Sequence, residues 1–335
     1  MREEHQIPGT DLVEHFSVVV RRFDQCWDVP ERSAPFSYPP TVSALVKKNY
    51  EAVKSKIERG VSEFDDKHNG QIAVICGSGP SLARDIEAIK GLPRDNIKVI
   101  AINSAIRPIF DRVDYYFLID WMAKREWWQG LDLSNMPCVL AMACPPYTVD
   151  DMPNRFYFTG SLGASMGIEE DKKYQKFGYL ESGFVASYSA MHMAYRMGFK
   201  RIVFVGHDSA YTNLCYDYTG FKVGMKMIGE ATVKNKTRLS VDYLGTTMCE
   251  DMRGNPTLSD SRMRRGMHML NAGSILLDEI GIPVINASEE GIWSAERRAK
   301  LLDCIGPEAP RPLIPAAPMK VKYIVGQGVI EEAAA

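Results

Sequence analysis

The chain has 335 residues, 40 Lys and Arg against 42 Asp and Glu, a formal net charge of −2 and 45% hydrophobic residues. That length and composition suit one sizeable α/β domain with additions, or two modest domains, each with a core to bury. The balanced charge leaves no electrostatic footprint for nucleic acid or an anionic membrane, so ligands must be bound locally and nucleic acid is not an expected partner.

In chain order, the first residues, "MREEHQIPGT", are charged and lack the apolar core of a signal peptide. Residues 11–29 and 41–64 suit helices, separated by the proline-bearing stretch "PERSAPFSYPP", which must be a loop. Together, residues 1–67 read as an N-terminal helical extension. From residue 71 the texture changes to short apolar runs: "IAVIC", "KVIAIN", "YYFLI", "CVLAMA", "RFYFTG", "RIVFVG" and "PVINA". Runs of this kind are strands buried on both faces, as in a parallel sheet. Helix-compatible stretches lie between them at 81–91, 104–112, 183–198 and 260–280. The alternation predicts a Rossmann-like, doubly wound, mostly parallel α/β domain over residues 68–300. Glycines, tyrosines and turn signals over 213–259 interrupt it and suggest an inserted hairpin or flap, and the Pro- and Ala-rich residues 301–335 read as a tail. No segment approaches the roughly 18 consecutive apolar residues of a membrane span. The seven cysteines include no C-x-x-C pair, which argues against a disulfide framework or zinc cluster and for reduced thiols in a cytoplasm.

In such a fold ligands gather at the carboxyl ends of the strands, so the residues just past each strand are read together. Gly77, Ser78, Gly79, Pro80 and Ser81 follow the first strand. Either their amides cradle a phosphate at the start of a helix, or the glycines only make a tight strand-to-helix turn. Asn103 is a hydrogen-bonding group for a ribose or phosphate, or a helix cap. Asp120 is a Mg²⁺ ligand or ligand acceptor, or a cap for "WMAKREWW". In "RIVFVGHDSAY", His207 and Asp208 pair an imidazole with a carboxylate. If the strand continues they point apart, with Asp208 toward the crevice and His207 satisfied elsewhere. Tyr211 offers a hydroxyl from the edge of the flap, unless it packs beneath it, and His268 falls within a helical pattern. No Walker GxxxxGK[ST] and no GxSxG elbow is present, which removes P-loop hydrolysis and serine hydrolase chemistry.

The segments "CGSGPSL", "INSAI", "DYYFLID", "ESGFVASYSAMHMAYRMGFKRIVFVGHDSAY" and "VINASEEG" resemble the MptE-like family over about residues 70–295. That family includes archaeal 6-hydroxymethylpterin diphosphokinases and the central domain of Maf flagellin glycosyltransferases, and it is similar in fold to bacterial sialyltransferases. The resemblance implies that residues 77–82 form the nucleotide-phosphate loop, that Asn103 contacts the nucleotide, that Ser182 and Gly183 lie near its base and ribose, and that Asp208 matches the family's G-x-D. The family's acidic A-D-G-A and D-x-D motifs read A-I-N-S-A and L-I-D-W here, leaving Asp120 and Asp208. This favours a glycosyltransferase moving a nonulosonic acid from a CMP-linked donor to an acceptor hydroxyl on a glycan or protein, with no metal. ATP with Mg²⁺ is the donor if the diphosphokinase alternative holds, and a non-catalytic nucleotide-binding protein is the third reading. For the sialyltransferase-like reaction the resemblance implies a histidine base, His268 first and His207 second, with Tyr211 near a family tyrosine.

Overall fold

A computed structural model describes residues 40–160, 176–181, 185–212, 217–219, 247–293, 295, 297–308, 310, 322–325 and 328–331. In chain order its helices and strands are α1 (Pro40–Val53), β1 (Ile72–Cys76), α2 (Leu82–Lys90), β2 (Ile97–Ile102), α3 (Ile106–Ile109), β3 (Tyr115–Leu118), β4 (Cys138–Ala141), α4 (Thr148–Asp151), β5 (Arg155–Phe158) and α5 (Ala186–Arg196). There follow β6 (Arg201–Val205), β7 (Thr247–Glu250), β8 (Pro256–Ser259), α6 (Ser261–Glu279), β9 (Val284–Asn286), β10 (Arg297–Arg298), α7 (Leu301–Cys304), β11 (Lys322–Val325) and β12 (Gly328–Glu331). They fall into two compact units. One comprises the described residues up to Gln71 with Lys98–Lys200, and the other Ile72–Ile97 with the described residues from Arg201 on.

In the first unit β2, β3, β4 and β5 run parallel in that order, with Ala101 opposite Tyr116, Phe117 opposite Val139 and Leu140 opposite Tyr157. β3 and β4 are buried throughout, so both faces of these strands carry core. α5 is buried on every side from Ser187 to Tyr195, a stretch of "ASYSAMHMAYR" that carries no Asp, Glu, Lys or Arg, as a helix with no solvent face requires. The helix expected over 41–64 ends at Val53, and Val61–Phe64 is instead a short 3₁₀ turn. Tertiary packing overrides the helical pattern here. Phe64 packs on Tyr115 and Phe156, with ring centroids 5.2 and 4.3 Å away. Arg59 O accepts the Tyr157 amide at 3.0 Å, and a Cβ on Gly60 would stand 2.0 Å from Phe177 O. The helix expected over 104–112 is likewise split into two 3₁₀ turns around α3. Pro108 has no N–H with which to continue an α-helical ladder.

In the second unit the parallel order is β10, β9, β6, β1, with β1 paired to β6 from Ile72↔Arg201 to Cys76↔Val205. Every residue of β1 and β6 is buried. α2 buries Leu82 and Ile89, two turns apart on one face, and closes on Gly91, whose amide donates to Glu87 O at 3.1 Å. The chain is therefore α/β and Rossmann-like, the class its alternation predicts. Within the expected insertion, β7 and β8 form an antiparallel hairpin. The C-terminal residues, expected to be a loose tail, contain β11 and β12, which pair antiparallel with each other and join β7 at Lys322↔Met248. A compositional bias toward Pro and Ala obscured the short β-branched runs "KYIV" and "GVIE".

Candidate functional site

The turn after β1 is built by two backbones in close approach. Gly77 N donates to Val205 O at 2.8 Å and Gly79 N to Gly206 O at 2.9 Å. A Cβ at Gly79 would lie 2.6 Å from Gly206 O, and one at Gly77 would lie 2.7 Å from the same oxygen. Gly206 itself has φ +72°, and a side chain there would meet Gly77 O at 2.2 Å. The glycines of "CGSGPSL" are thus required by packing against the end of β6 before any ligand is considered. Ser81 N donates to Asp208 Oδ2 at 2.9 Å, Pro80 has no N–H, and the amides of Leu82, Ala83 and Arg84 turn back to Gly79, Pro80 and Ser81 carbonyls. This narrows the expectation that the loop amides converge on a phosphate: Ser78 N–H alone among Gly77–Ser81 has no partner among the described residues. Ser78 O accepts the amide of Tyr218 at 3.1 Å, so a described piece of the insertion lies against the loop.

Asp208 is buried, and its carboxylate takes both Ser81 N, on Oδ2, and Ser81 Oγ, on Oδ1. Burial pushes its carboxyl up to about 7, opposed by the Ser81 bonds and aided by the nearby charge of Glu290. Its backbone carbonyl accepts Ile292 N at 2.8 Å, and Gly291, at φ +90°, comes so close that a Cβ would stand 2.0 Å from that oxygen. Asp208 therefore ties the glycine loop to the loop after β9. The carboxylate sits at the start of α2, where the helix dipole favours a negative charge, so the anion the turn holds is the protein's own.

His207 is buried too. Its amide donates to Ser288 Oγ at 2.8 Å, its Nε2 lies 3.2 Å from Ile75 O, and its ring meets Phe204 edge-on at 4.8 Å. A carbonyl only accepts, so Nε2 carries the proton, and burial pushes the imidazole down to about 3. The expected alternation of neighbouring side chains does not apply, because β6 ends at Val205 and the positive φ of Gly206 turns the chain; both His207 and Asp208 face inward. His207, the second choice of base, is thus held against β1 through Ile75 O.

Tyr211 is also buried, and its hydroxyl donates to Asp260 Oδ2 at 3.0 Å. Asp260, fully buried, caps α6 by accepting Met263 N at 2.9 Å. The sequence reading missed Asp260, although a Ser-Asp-Ser run ahead of an apolar-periodic stretch is a helix-start signal. His268 lies two turns into α6, half-buried, and burial together with the charge of Arg264 pushes it down to about 4. It is a neutral imidazole near pH 7.

The other unit holds the remaining expected residues. Asn103 ends β2 in the left-handed region, φ +50°, with a buried Oδ1 that has no partner among the described residues. Asparagine tolerates that conformation better than most residues. Asp120, past β3, is half-buried and accepts Met122 N on Oδ1 at 2.8 Å in a local turn, and no helix follows it, since "WMAKREWW" holds only a 3₁₀ turn at Arg125–Trp127. Ser182 and Gly183 lie outside the described residues.

Parallel strands ending in a glycine turn at a helix start define the broad class of Rossmann-like α/β proteins. More narrowly, the chain matches the family model described as 6-hydroxymethylpterin diphosphokinase MptE-like over residues 44–214, and it belongs to that family. Among solved structures it is similar to a Maf glycosyltransferase from Magnetospirillum magneticum AMB-1, with a TM-score of 0.55 at 15% identity over 87% of this chain. That likeness shows a shared fold, and the chain spans 41% of the neighbour's length. No curated protein sequence matches the chain. Among the described residues no helix is long and apolar enough to cross a membrane.

Proposed function

We propose that the protein is a nucleotide-dependent transferase, and more narrowly that it moves a nonulosonic acid of the sialic, pseudaminic or legionaminic kind from a CMP-linked donor to an acceptor hydroxyl. The observation that carries the reading is the turn from β1 to α2 in a chain of the MptE-like family, in which Ser78 N–H, four residues ahead of α2, has no partner among the described residues. In the reaction the bond from the anomeric carbon to the phosphate oxygen breaks, a bond to the acceptor oxygen forms, the acceptor proton goes to a base, and CMP departs with an added negative charge. The Ser78 amide would stabilise that charge. Tyr211 would not donate to the phosphate, since its proton is committed to Asp260. His268, neutral near pH 7, is the base of this proposal.

The family description itself favours a second reading, pyrophosphoryl transfer from ATP to a hydroxymethylpterin. Mg²⁺ would be needed to bridge and neutralise the phosphates. The described residues do not fit that ion well. Both oxygens of Asp208 are engaged by Ser81, Asp120 accepts a backbone amide, and no group of three His, Cys, Asp or Glu among the described residues could hold a metal.

Calorimetric titration with CMP, CTP and ATP, with and without Mg²⁺, tests the reading, followed by donor turnover in His268→Ala and His207→Ala. Binding of CMP and CTP, with turnover lost only in His268→Ala, is expected. Preference for ATP with Mg²⁺ would replace the reading with the diphosphokinase, and binding without turnover of any donor would make the chain a nucleotide-binding protein.

A further inference from the structure

Two arginines from different elements converge on one carboxylate oxygen. Arg84 Nη1 lies 2.5 Å and Arg253 Nη1 3.2 Å from Oε1 of Glu290. Arg84 stands in the first turn of α2, directly after the glycine loop, and Arg253 lies in the turn between β7 and β8. The Glu290 side chain is only 15% exposed, whereas those of Arg84 and Arg253 are 40% and 45% exposed. The guanidinium groups stay open to water around a covered carboxylate.

Neither arginine relies on Glu290 alone for its position. Arg84 Nη2 donates to Ser288 O at 3.0 Å. Arg253 N donates to Asp251 Oδ1 at 2.8 Å, and Met252 N to Gly291 O at 2.9 Å, which moors the hairpin turn to the loop after β9. The Arg84 guanidinium is thus anchored apart from Glu290 and the Arg253 turn is moored by its backbone, so two like-charged side chains are presented to one place, an arrangement that favours an anion between them. Glu290 is a compromised occupant. It pushes against the buried Asp208, and Glu289 beside it adopts φ +56°, outside the conformations that glutamate favours. Glu289 lies 3.7 Å from Arg253 and presses on Asp85 of α2, so the surroundings already hold more carboxylates than arginines. A ligand here must replace Glu290 rather than join it.

We propose that Arg84 and Arg253 form the binding site for a second substrate oxyanion, a carboxylate or phosphate beyond the one at the glycine loop, and that Glu290 fills it when substrate is absent. The proposal rests on the nucleotide reading above and deepens it: the donor carries two separated anionic groups, and the second exchanges places with an internal carboxylate. No bond is made or broken in the exchange.

The test uses inorganic pyrophosphate as a probe, titrated calorimetrically into the wild type, Glu290→Gln and the double variant Glu290→Gln/Arg253→Ala, with each fold checked by circular dichroism. Glu290→Gln should bind pyrophosphate at least about tenfold more tightly than the wild type, since it removes a competing charge-assisted partner, and the double variant should lose the gain. A folded Glu290→Gln with no gain overturns the proposal and leaves Glu290 as a purely structural link. Should Glu290→Gln not fold, the single Arg253→Ala change in the exposed hairpin turn decides. With CMP, CDP and CMP-N-acetylneuraminate as ligands, it should erase the advantage of CDP or of the sugar acid over CMP while CMP affinity holds. Loss of the CDP advantage assigns the site to phosphate, and loss of the sugar-acid advantage to carboxylate. Both advantages intact would overturn the proposal. CMP failing to bind the wild type would instead count against the nucleotide reading, and the pyrophosphate arm would still report on the arginines.

Discussion

Asp208 shows how one side chain can satisfy the turn that its neighbours were expected to offer a ligand. Its carboxylate occupies the start of α2 and takes two bonds from Ser81, so its first role is to hold the loop. Asp208→Asn should lower the unfolding free energy by about 1–3 kcal/mol in denaturant titrations, because an amide presents an N–H toward one of the two Ser81 donors. Unchanged stability with lost CMP binding would show instead that the carboxylate serves a ligand. The same geometry disqualifies Gly79→Val as a probe of phosphate binding. Its side chain would strike Gly206 O whether or not a phosphate is present, so lost binding would report lost structure.

At the scale of elements, hydrogen bonds among the described residues tie the β7–β8 hairpin and α6 to the segment after β6. Tyr211 N donates to Leu258 O at 2.7 Å, Ser259 Oγ to Ser209 O at 2.7 Å, and Asp260 combines the cap of α6 with the Tyr211 hydroxyl. Asp260→Ala should cost about 2–4 kcal/mol, the sum of a lost cap and a buried hydroxyl left unpaired. Hydrogen exchange at the amides of Met263 and Arg264 should accelerate. Exchange as slow as in the wild type would mean that α6 is held by its packing and that the cap contributes little. α5 behaves differently, since its buried His192 accepts Glu181 N at 2.9 Å and Ser189 Oγ donates to Glu181 O at 2.7 Å. Both bonds fasten that helix to the backbone of Glu181.

Over the whole molecule, buried histidines set the response to acid. His207 and His192 are both pushed from 6.5 down to about 3 by burial, so both are neutral in the folded chain. A group whose pKa is lower folded than unfolded leaves stability intact above its unfolded value, and stability is lost as pH falls below it. Asp208, raised to about 7, acts in the opposite sense: its contribution is full below the ordinary carboxylate range and is lost as pH rises through about 7. The two effects overlap near neutrality, so a single variant must separate them. Between pH 6.5 and about pH 5 the wild type should lose roughly 2 kcal/mol more than His207→Gln, whose amide can still donate to Ile75 O. Parallel loss in both proteins would mean that the His207 ring titrates as freely folded as unfolded.

The alternation of apolar runs and helical stretches determined the α/β class and the position of the turn at Gly77, because strands buried on both faces and one-faced helices carry their periods locally. "IAVIC" and "RIVFV" needed no partner in view to be read as strands. The family, too, was legible in short runs of residues. Only the tertiary structure decided what the turn packs against. Gly77 and Gly79 face the backbone of Gly206, Ser81 faces Asp208, and Arg84 meets Arg253 across Glu290, pairings that join residues up to about two hundred positions apart. No local pattern encodes such distances. A hydrogen bond or an ion pair depends on where the folded chain brings two groups, and a glycine kept for a close backbone approach looks in sequence like one kept for a phosphate.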